Sequence, residues 1–175
     1  MKERHEVYGF KPIVDNNTSV MILGTIPGEV SLAKNEYYAD SNNKLWYLIG
    51  LKYGVQDLKF LDYNTKISVL KANNIGLWDI LSFCTREGSS DKTIQNEQFN
   101  ELKDFISQYP NIKKIIVNGK GAYKKYLQRI NLSDNVEIVP LVSTSGSRWD
   151  CQSVKERDKW LSELPDNNNV VGDKQ

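Results

Sequence analysis

Val20-Met21-Ile22-Leu23-Gly24-Thr25-Ile26-Pro27-Gly28 and, eight residues later, Tyr37-Tyr38-Ala39-Asp40-Ser41-Asn42-Asn43-Lys44-Leu45-Trp46 decide how this chain folds. The run from Val20 to Leu23 is uniformly apolar, the pattern of a strand covered on both faces. It stops at a Gly-Thr-Ile-Pro-Gly turn, where two glycines and a proline let bare backbone approach a ligand. A polar loop rich in aromatics and amides follows and runs into a helix starting near Asn43. In that order these pieces build a pocket for a flat, hydrogen-bonding ligand at the carboxyl end of a strand.

Outward from this stretch, short apolar runs predict further strands over 75–81, 112–117 and 136–142. Helical spacing of apolar residues lies between them, over 43–52, 65–72, 99–107, 121–129 and 154–164. Strands alternating with helices predict an α/β fold, a three-layer sandwich with a central, mostly parallel four-stranded sheet flanked by helices. One domain spans 1–164, and the polar stretch 165–175 is expected to be a disordered tail. Ligands gather outside the carboxyl ends of such strands. Three polar segments fall there, 25–43, 82–91 and 143–148, together with Asn118-Gly119.

Composition narrows the chemistry. The 175 residues are 39% hydrophobic and 26% charged, as in a soluble globular protein. No apolar run approaches the roughly 20 residues of a membrane span, and the charged start Met1–Glu6 has no apolar signal segment. Cys84 and Cys151 are too few for a disulfide framework or a cysteine metal site and suit a reducing cytoplasm. His5 is the single histidine and sits in a terminus, so histidine catalysis and His-rich metal sites are excluded. Acid–base and water-positioning work falls to Asp, Glu, Asn, Tyr or Lys. No spacing implies a metal or an organic cofactor. The net charge of +1 neither demands nor forbids nucleic acid. A local cluster of Lys113, Lys114, Lys120, Lys124, Lys125, Arg129 and Arg148 is either a phosphate-facing patch or a solvated helix face.

The blocks Gly24-Thr25-Ile26-Pro27-Gly28, Tyr37 to Trp46, Gly76-Leu77-Trp78-Asp79, Cys84-Thr85-Arg86-Glu87-Gly88-Ser89-Ser90-Asp91, Asn118-Gly119 and Ser143-Thr144-Ser145-Gly146 keep their order over about residues 18 to 160. In this the chain resembles the uracil-DNA glycosylase superfamily, and within it most resembles the hypoxanthine (deoxyinosine) DNA glycosylases. Many members of that superfamily place a water-activating Asn or Asp where this chain has Ile26, which cannot do that work. In the branch it resembles, the essential asparagine is the one in the second block, which falls on Asn43. The chain departs from the branch at Asp40, where histidine is frequent, at Ser41, which replaces a proline, and at Val142 and Gly146, which flank Ser143-Thr144-Ser145 where the branch has prolines.

The resemblance implies a base flipped from DNA into a fitted pocket, with water attacking the anomeric carbon as the glycosidic bond breaks. Asn43 is the candidate to orient that water; capping the following helix is its other reading, and one residue can do both. Asp40 is the rival water activator, with Asp79 and Asp91 as lesser ones. Nothing suggests a Schiff-base step at Lys34 or Lys120. Tyr38 offers a stacking face for the base, or else it or Tyr37 simply packs against the helix. The backbone amides of Thr25 and Ile26 can hold water or a base carbonyl. Asn118 can read a base edge, or cap the helix starting at Gly121. The stretch 143–149 is expected to insert into DNA. There Ser143 and Ser145 bind phosphates, Gly146 permits close approach, and Ser147, Arg148 or Trp149 fills the gap left by the base. Trp149 has a core alternative, and the Arg86–Asp91 segment reads equally as a pocket-lining loop or a salt-bridged turn.

The expectation is a monofunctional, monomeric DNA glycosylase of base excision repair acting on a deaminated base, with hypoxanthine favoured over uracil or xanthine. Two other classes stay open: a non-catalytic nucleobase- or DNA-binding module of the same fold, and an enzyme on free nucleosides, which would need no inserting loop.

Overall fold

The computed structural model describes residues 3–146 and 153–167. Its centre is a parallel four-stranded sheet built from β2 (Val20–Gly24), β3 (Ile75–Asp79), β6 (Lys114–Asn118) and β7 (Glu137–Leu141). The strand order is β3-β2-β6-β7. Side chains alternate across it as strand geometry requires. Met21, Leu23, Ile115 and Val117 face one core, shared with α4 (Leu102–Gln108) and the helix beginning at Lys120. Val20, Ile22, Ile75, Leu77, Ile116 and Leu141 face the other, shared with α2 (Leu45–Tyr53), α3 (Tyr63–Ala72) and α6 (Val154–Glu163). Helices cover both faces, so the expected layering holds. Each fully buried aliphatic side chain in these cores contributes roughly 1.5–3 kcal/mol.

A second sheet accompanies the first. β1 (Arg4–Tyr8), β4 (Leu81–Glu87) and β5 (Gln95–Phe99) form an antiparallel sheet in the order β1-β4-β5. The strand expected over 75–81 is therefore two strands. β3 ends at Asp79, Ile80 and Leu81 donate their N–H groups to the carbonyls of Gly24 and Thr25, and the chain leaves in β4 for the other sheet. The polar segment expected as a loop over 82–91 is mostly strand, and the helix expected from 99 begins only at Leu102 because 95–99 pairs with β4. The short helix α1 (Glu29–Lys34) fills part of the expected loop after the Pro-Gly turn. Near 121–129 a single helical turn, α5 (Lys120–Ala122), runs into a wider π turn over Tyr123–Leu127, where the N–H of Gln128 reaches the carbonyl of Tyr123 at 2.8 Å. Pro165 and Asp166, the first residues of the expected tail, touch α2 through Tyr53 and Lys52. Among the described residues no helix is long and apolar enough to cross a membrane.

Candidate active site

Three strand ends meet at one point. Gly24 pairs with Asp79, and Leu23 pairs with Val117, so Asn118 stands beside Gly24 on its other flank. By strand alternation all three side-chain positions lie on the α2 face of the sheet. Gly24 leaves a gap there: a Cβ on it would sit 2.7 Å from Asp79 Oδ1 and 3.1 Å from the Tyr38 hydroxyl. Asp79 and Tyr38 thus converge over Gly24, a close approach that is possible because Gly24 has no side chain.

The two tyrosines divide their work. Tyr37 is core: its hydroxyl donates to the carbonyl of Lys11, and its own carbonyl accepts from the Trp46 indole. Tyr38 has φ +54°, a left-handed conformation that costs an aromatic residue energy and that clusters at functional sites. That twist aims its ring and hydroxyl toward Gly24. The hydroxyl is buried with no hydrogen-bond partner, and burial raises its pKa, with Asp79 adding to the rise and the nearby Asn118 amide opposing it.

Asp79 is 4% exposed and its Oδ2 has no hydrogen-bond partner. Burial, helped by the negative charge of Asp91 and opposed by Arg86, pushes its carboxyl up to about 7. Burial thus favours the protonated carboxyl, which offers both a donor and an acceptor.

Asn43 lies at the start of α2. Its Oδ1 accepts from the Leu45 N–H at 2.9 Å, satisfying one free donor of the first turn, while the N-cap position itself is Lys44. The same oxygen accepts from the Thr144 hydroxyl at 2.8 Å. Thr144, completely buried, is the residue that reading the sequence missed. Its N–H donates to Asn118 Oδ1 at 2.8 Å, its hydroxyl accepts from Asn118 Nδ2 at 2.8 Å, and its carbonyl accepts from the Lys44 N–H at 2.9 Å. Asn118 thus gives one Nδ2 hydrogen and one Oδ1 lone pair to Thr144 and keeps a second donor and a second acceptor; it does not cap α5, whose N-cap is Gly119. Asp40 is exposed, and its Oδ1 accepts from the Asn42 N–H at 2.8 Å, shaping the turn that leads to Asn43.

The loop after β7 packs onto this turn. A Cβ on Gly146 would lie 2.6 Å from Asn42 Cβ and 2.9 Å from its carbonyl oxygen, so Gly146 lets the loop press against the second block of the same chain. Ser143 Oγ accepts from the Ser145 N–H at 3.2 Å. Ser147, Arg148, Trp149 and Cys151 lie outside the described residues.

The Arg86–Asp91 segment proves to be a clamp on the Gly-Thr-Ile-Pro-Gly turn. The buried Arg86 guanidinium donates to the Pro27 carbonyl. Ser89 Oγ accepts from the Glu29 N–H at 2.9 Å, and Asp91 Oδ2 accepts from the Thr25 hydroxyl at 2.7 Å. Ile26 turns its side chain into the core, so only its backbone can serve a ligand. Of the basic residues, Lys120 faces Glu156 at 3.9 Å, Lys125 faces Glu97 at 3.1 Å and Lys114 faces Glu163 at 2.8 Å. A separate hollow of about 310 Å³ beside α2 is lined by Tyr47, Leu51, Val55, Asp57 and Lys59.

Fold and site together define an α/β protein with a cluster of polar side chains at the C-terminal edge of a parallel sheet. The chain belongs to the uracil DNA glycosylase superfamily: residues 11–164 match that family's model. It is 37% identical over 141 residues to a hypoxanthine DNA glycosylase of Methanosarcina barkeri (strain Fusaro / DSM 804), across 79% of this chain and 86% of that one. A hypoxanthine DNA glycosylase of Methanosarcina acetivorans is 35% identical over 141 residues, with the same coverage. A solution NMR structure from Methanosarcina acetivorans, of a protein proposed to be a uracil DNA glycosylase, superposes with a TM-score of 0.75 at 32% identity, covering 91% of this chain and 97% of that one. The chain is an enzyme of this class, hydrolysing N-glycosyl bonds in DNA.

Proposed function

We propose that this enzyme removes hypoxanthine from DNA as a monofunctional glycosylase of base excision repair, working as a monomer. The observation that carries the reading is the union of Asn43, Asn118 and Thr144 into one hydrogen-bonded group, with Asn118 at the carboxyl end of β6 beside Gly24. The choice of hypoxanthine draws on the two Methanosarcina relatives, both hypoxanthine DNA glycosylases.

The flipped base stacks on Tyr38 and meets Asn118 and the backbone amides of Thr25 and Ile26 at its edge. Flipping costs a few kcal/mol, less for a mispaired base, which gives part of the selectivity. The C–N bond electrons leave with the base as the sugar gains oxocarbenium character. A water held by Asn43 adds its oxygen to the anomeric carbon, its proton passes to Asp40, and the departing base takes a proton from solvent. The products are an abasic site and free hypoxanthine. Little base strength is required when the leaving group departs early, so positioning supplies most of the rate. Ser143, Ser145 and Gly146 meet the flanking backbone, and Ser147 and Arg148 supply the wedge.

The test is strand cleavage, after hot alkali, of duplex and single-stranded oligonucleotides carrying one inosine, uracil or xanthine. Cleavage at inosine that Asn43→Ala lowers by 10²-fold or more is the expected result. Cleavage that survives in Asn43→Ala but is lost in Asp40→Ala moves the water to Asp40. Binding without cleavage of any substrate favours a non-catalytic module.

A further inference from the structure

We propose that Thr144 is the positioning residue of this site, holding the Asn43 amide so that its oxygen is fully engaged and its Nδ2–H2 group is what it offers the substrate. This rests on the glycosylase reading above and names the atom through which Asn43 works.

The direction of every hydrogen bond in the group is fixed by a backbone N–H at each end. The Thr144 N–H must donate, so the Asn118 atom at 2.8 Å from it is Oδ1, and Nδ2 is the Asn118 atom that meets the Thr144 hydroxyl. Nδ2 is a donor, so the hydroxyl oxygen accepts there and its one hydrogen goes elsewhere. It goes to Asn43, at 2.8 Å. At the far end the Leu45 N–H must also donate, at 2.9 Å, which identifies the shared Asn43 atom as Oδ1. Neither amide can turn over without setting donor against donor. A carbonyl oxygen has two lone pairs; those of Asn43 are both taken. Water cannot be drawn in through that oxygen, so Asn43 works as a donor. It fixes the attacking water by an N–H to the water's oxygen, leaving that oxygen's second lone pair for the anomeric carbon. Thr144 also ties Asn118, the contact for the base, to Asn43, the contact for the water, across 26 and 101 residues of sequence.

Single-turnover release of hypoxanthine from an inosine duplex, with DNA affinity and thermal midpoint measured on the same full-length proteins, tests this. Asn43→Asp keeps an oxygen for Leu45 and Thr144 and puts a negative charge at the start of α2, so the fold is retained or firmer. Yet it replaces the donor by an acceptor, and the rate is expected to fall about as far as in Asn43→Ala. Thr144→Val is expected to lower the rate about 10²-fold with DNA affinity nearly unchanged, and Thr144→Ser to recover most of it. An Asn43→Asp enzyme within a few-fold of wild type overturns the proposal, because oxygen then does the work. So does a Thr144→Val enzyme with an unaltered rate, or one whose loss tracks its thermal midpoint and is not recovered by serine. A wild-type chain that releases no base from any substrate overturns the glycosylase reading first, and this inference with it.

Discussion

Asp79 keeps its carboxyl in a place that water does not reach, and its acidity shows what that position demands. The ordinary carboxylate value near 4 holds in the unfolded chain, whereas burial lifts the folded value to about 7. The folded state thus binds a proton more tightly, so the stability tied to that proton is full below about pH 4, drains as the pH rises, and is gone above about pH 7. At about 1.4 kcal/mol per unit, the fall between pH 5 and pH 7 is on the order of 2–3 kcal/mol. Asp79→Asn carries no such proton, so its urea midpoint should stay nearly level from pH 5 to pH 8, and at pH 8 it should exceed wild type. Equal pH dependence in both proteins would remove Asp79 as the titrating group. Gly24 gives a second expectation at this scale. Gly24→Ala puts a methyl 2.7 Å from Asp79 Oδ1 and 3.1 Å from the hydroxyl of Tyr38, the ring on which the base is proposed to stack. Base release should drop by at least about 10²-fold with a small change in thermal midpoint; an unhindered rate would mean the base lies elsewhere. What the sequence concealed at this scale is Thr144. It stands between two serines in a polar loop, and its partners are 26 and 101 residues away, so nothing local distinguishes it. Asn43 and Asn118 stood out as candidates because the resembled family marks the block holding Asn43 and because Asn118 ends an apolar strand.

Among the elements, β2 was legible because both its faces are buried, which writes an unbroken apolar run, and β3, β6 and β7 were legible from shorter apolar runs around polar ends. The second sheet was not. β5 reads Gln-Asn-Glu-Gln-Phe, polar and mostly exposed, and it is a strand only because β4 lends it hydrogen-bond partners. β4 hides an arginine on its buried side, and the purpose of that arginine lies across the molecule at the Pro27 carbonyl. Two sheets that share no strand pairing are thereby fastened at the turn the ligand must approach. Arg86→Met should leave the Pro27 carbonyl without its donor and cost about 2–3 kcal/mol in urea unfolding. It should also raise the Asp79 titration further, since the cation that opposes the rise is gone. If the midpoint holds and the Asp79 titration does not move, Arg86 is not the fastening.

At the scale of the whole molecule, the site depends on a helix that contributes no group to it. α6 buries Trp160 completely against the α2 face, and the Trp160 indole donates to the Val142 carbonyl at 2.9 Å. Val142 is two residues before Thr144, so the docking of α6 sets the height at which Thr144 meets both asparagines. That loop is also anchored by the Lys44 N–H on the Thr144 carbonyl, by the hydrogen bonds of Thr144 to Asn118 and Asn43, and by the close approach of Gly146 to Asn42. Trp160→Phe keeps an aromatic ring in the core but removes the donor and leaves a small void. The cost should be about 2–3 kcal/mol, read as a lower urea midpoint. If the loop is held from α6, base release should fall more than the loss of folded protein explains at a temperature where the variant is still fully folded, and DNA affinity should change little. A rate that matches wild type under those conditions would show that Lys44, Asn42, Asn43 and Asn118 hold the loop without α6, and that α6 serves only to close the core.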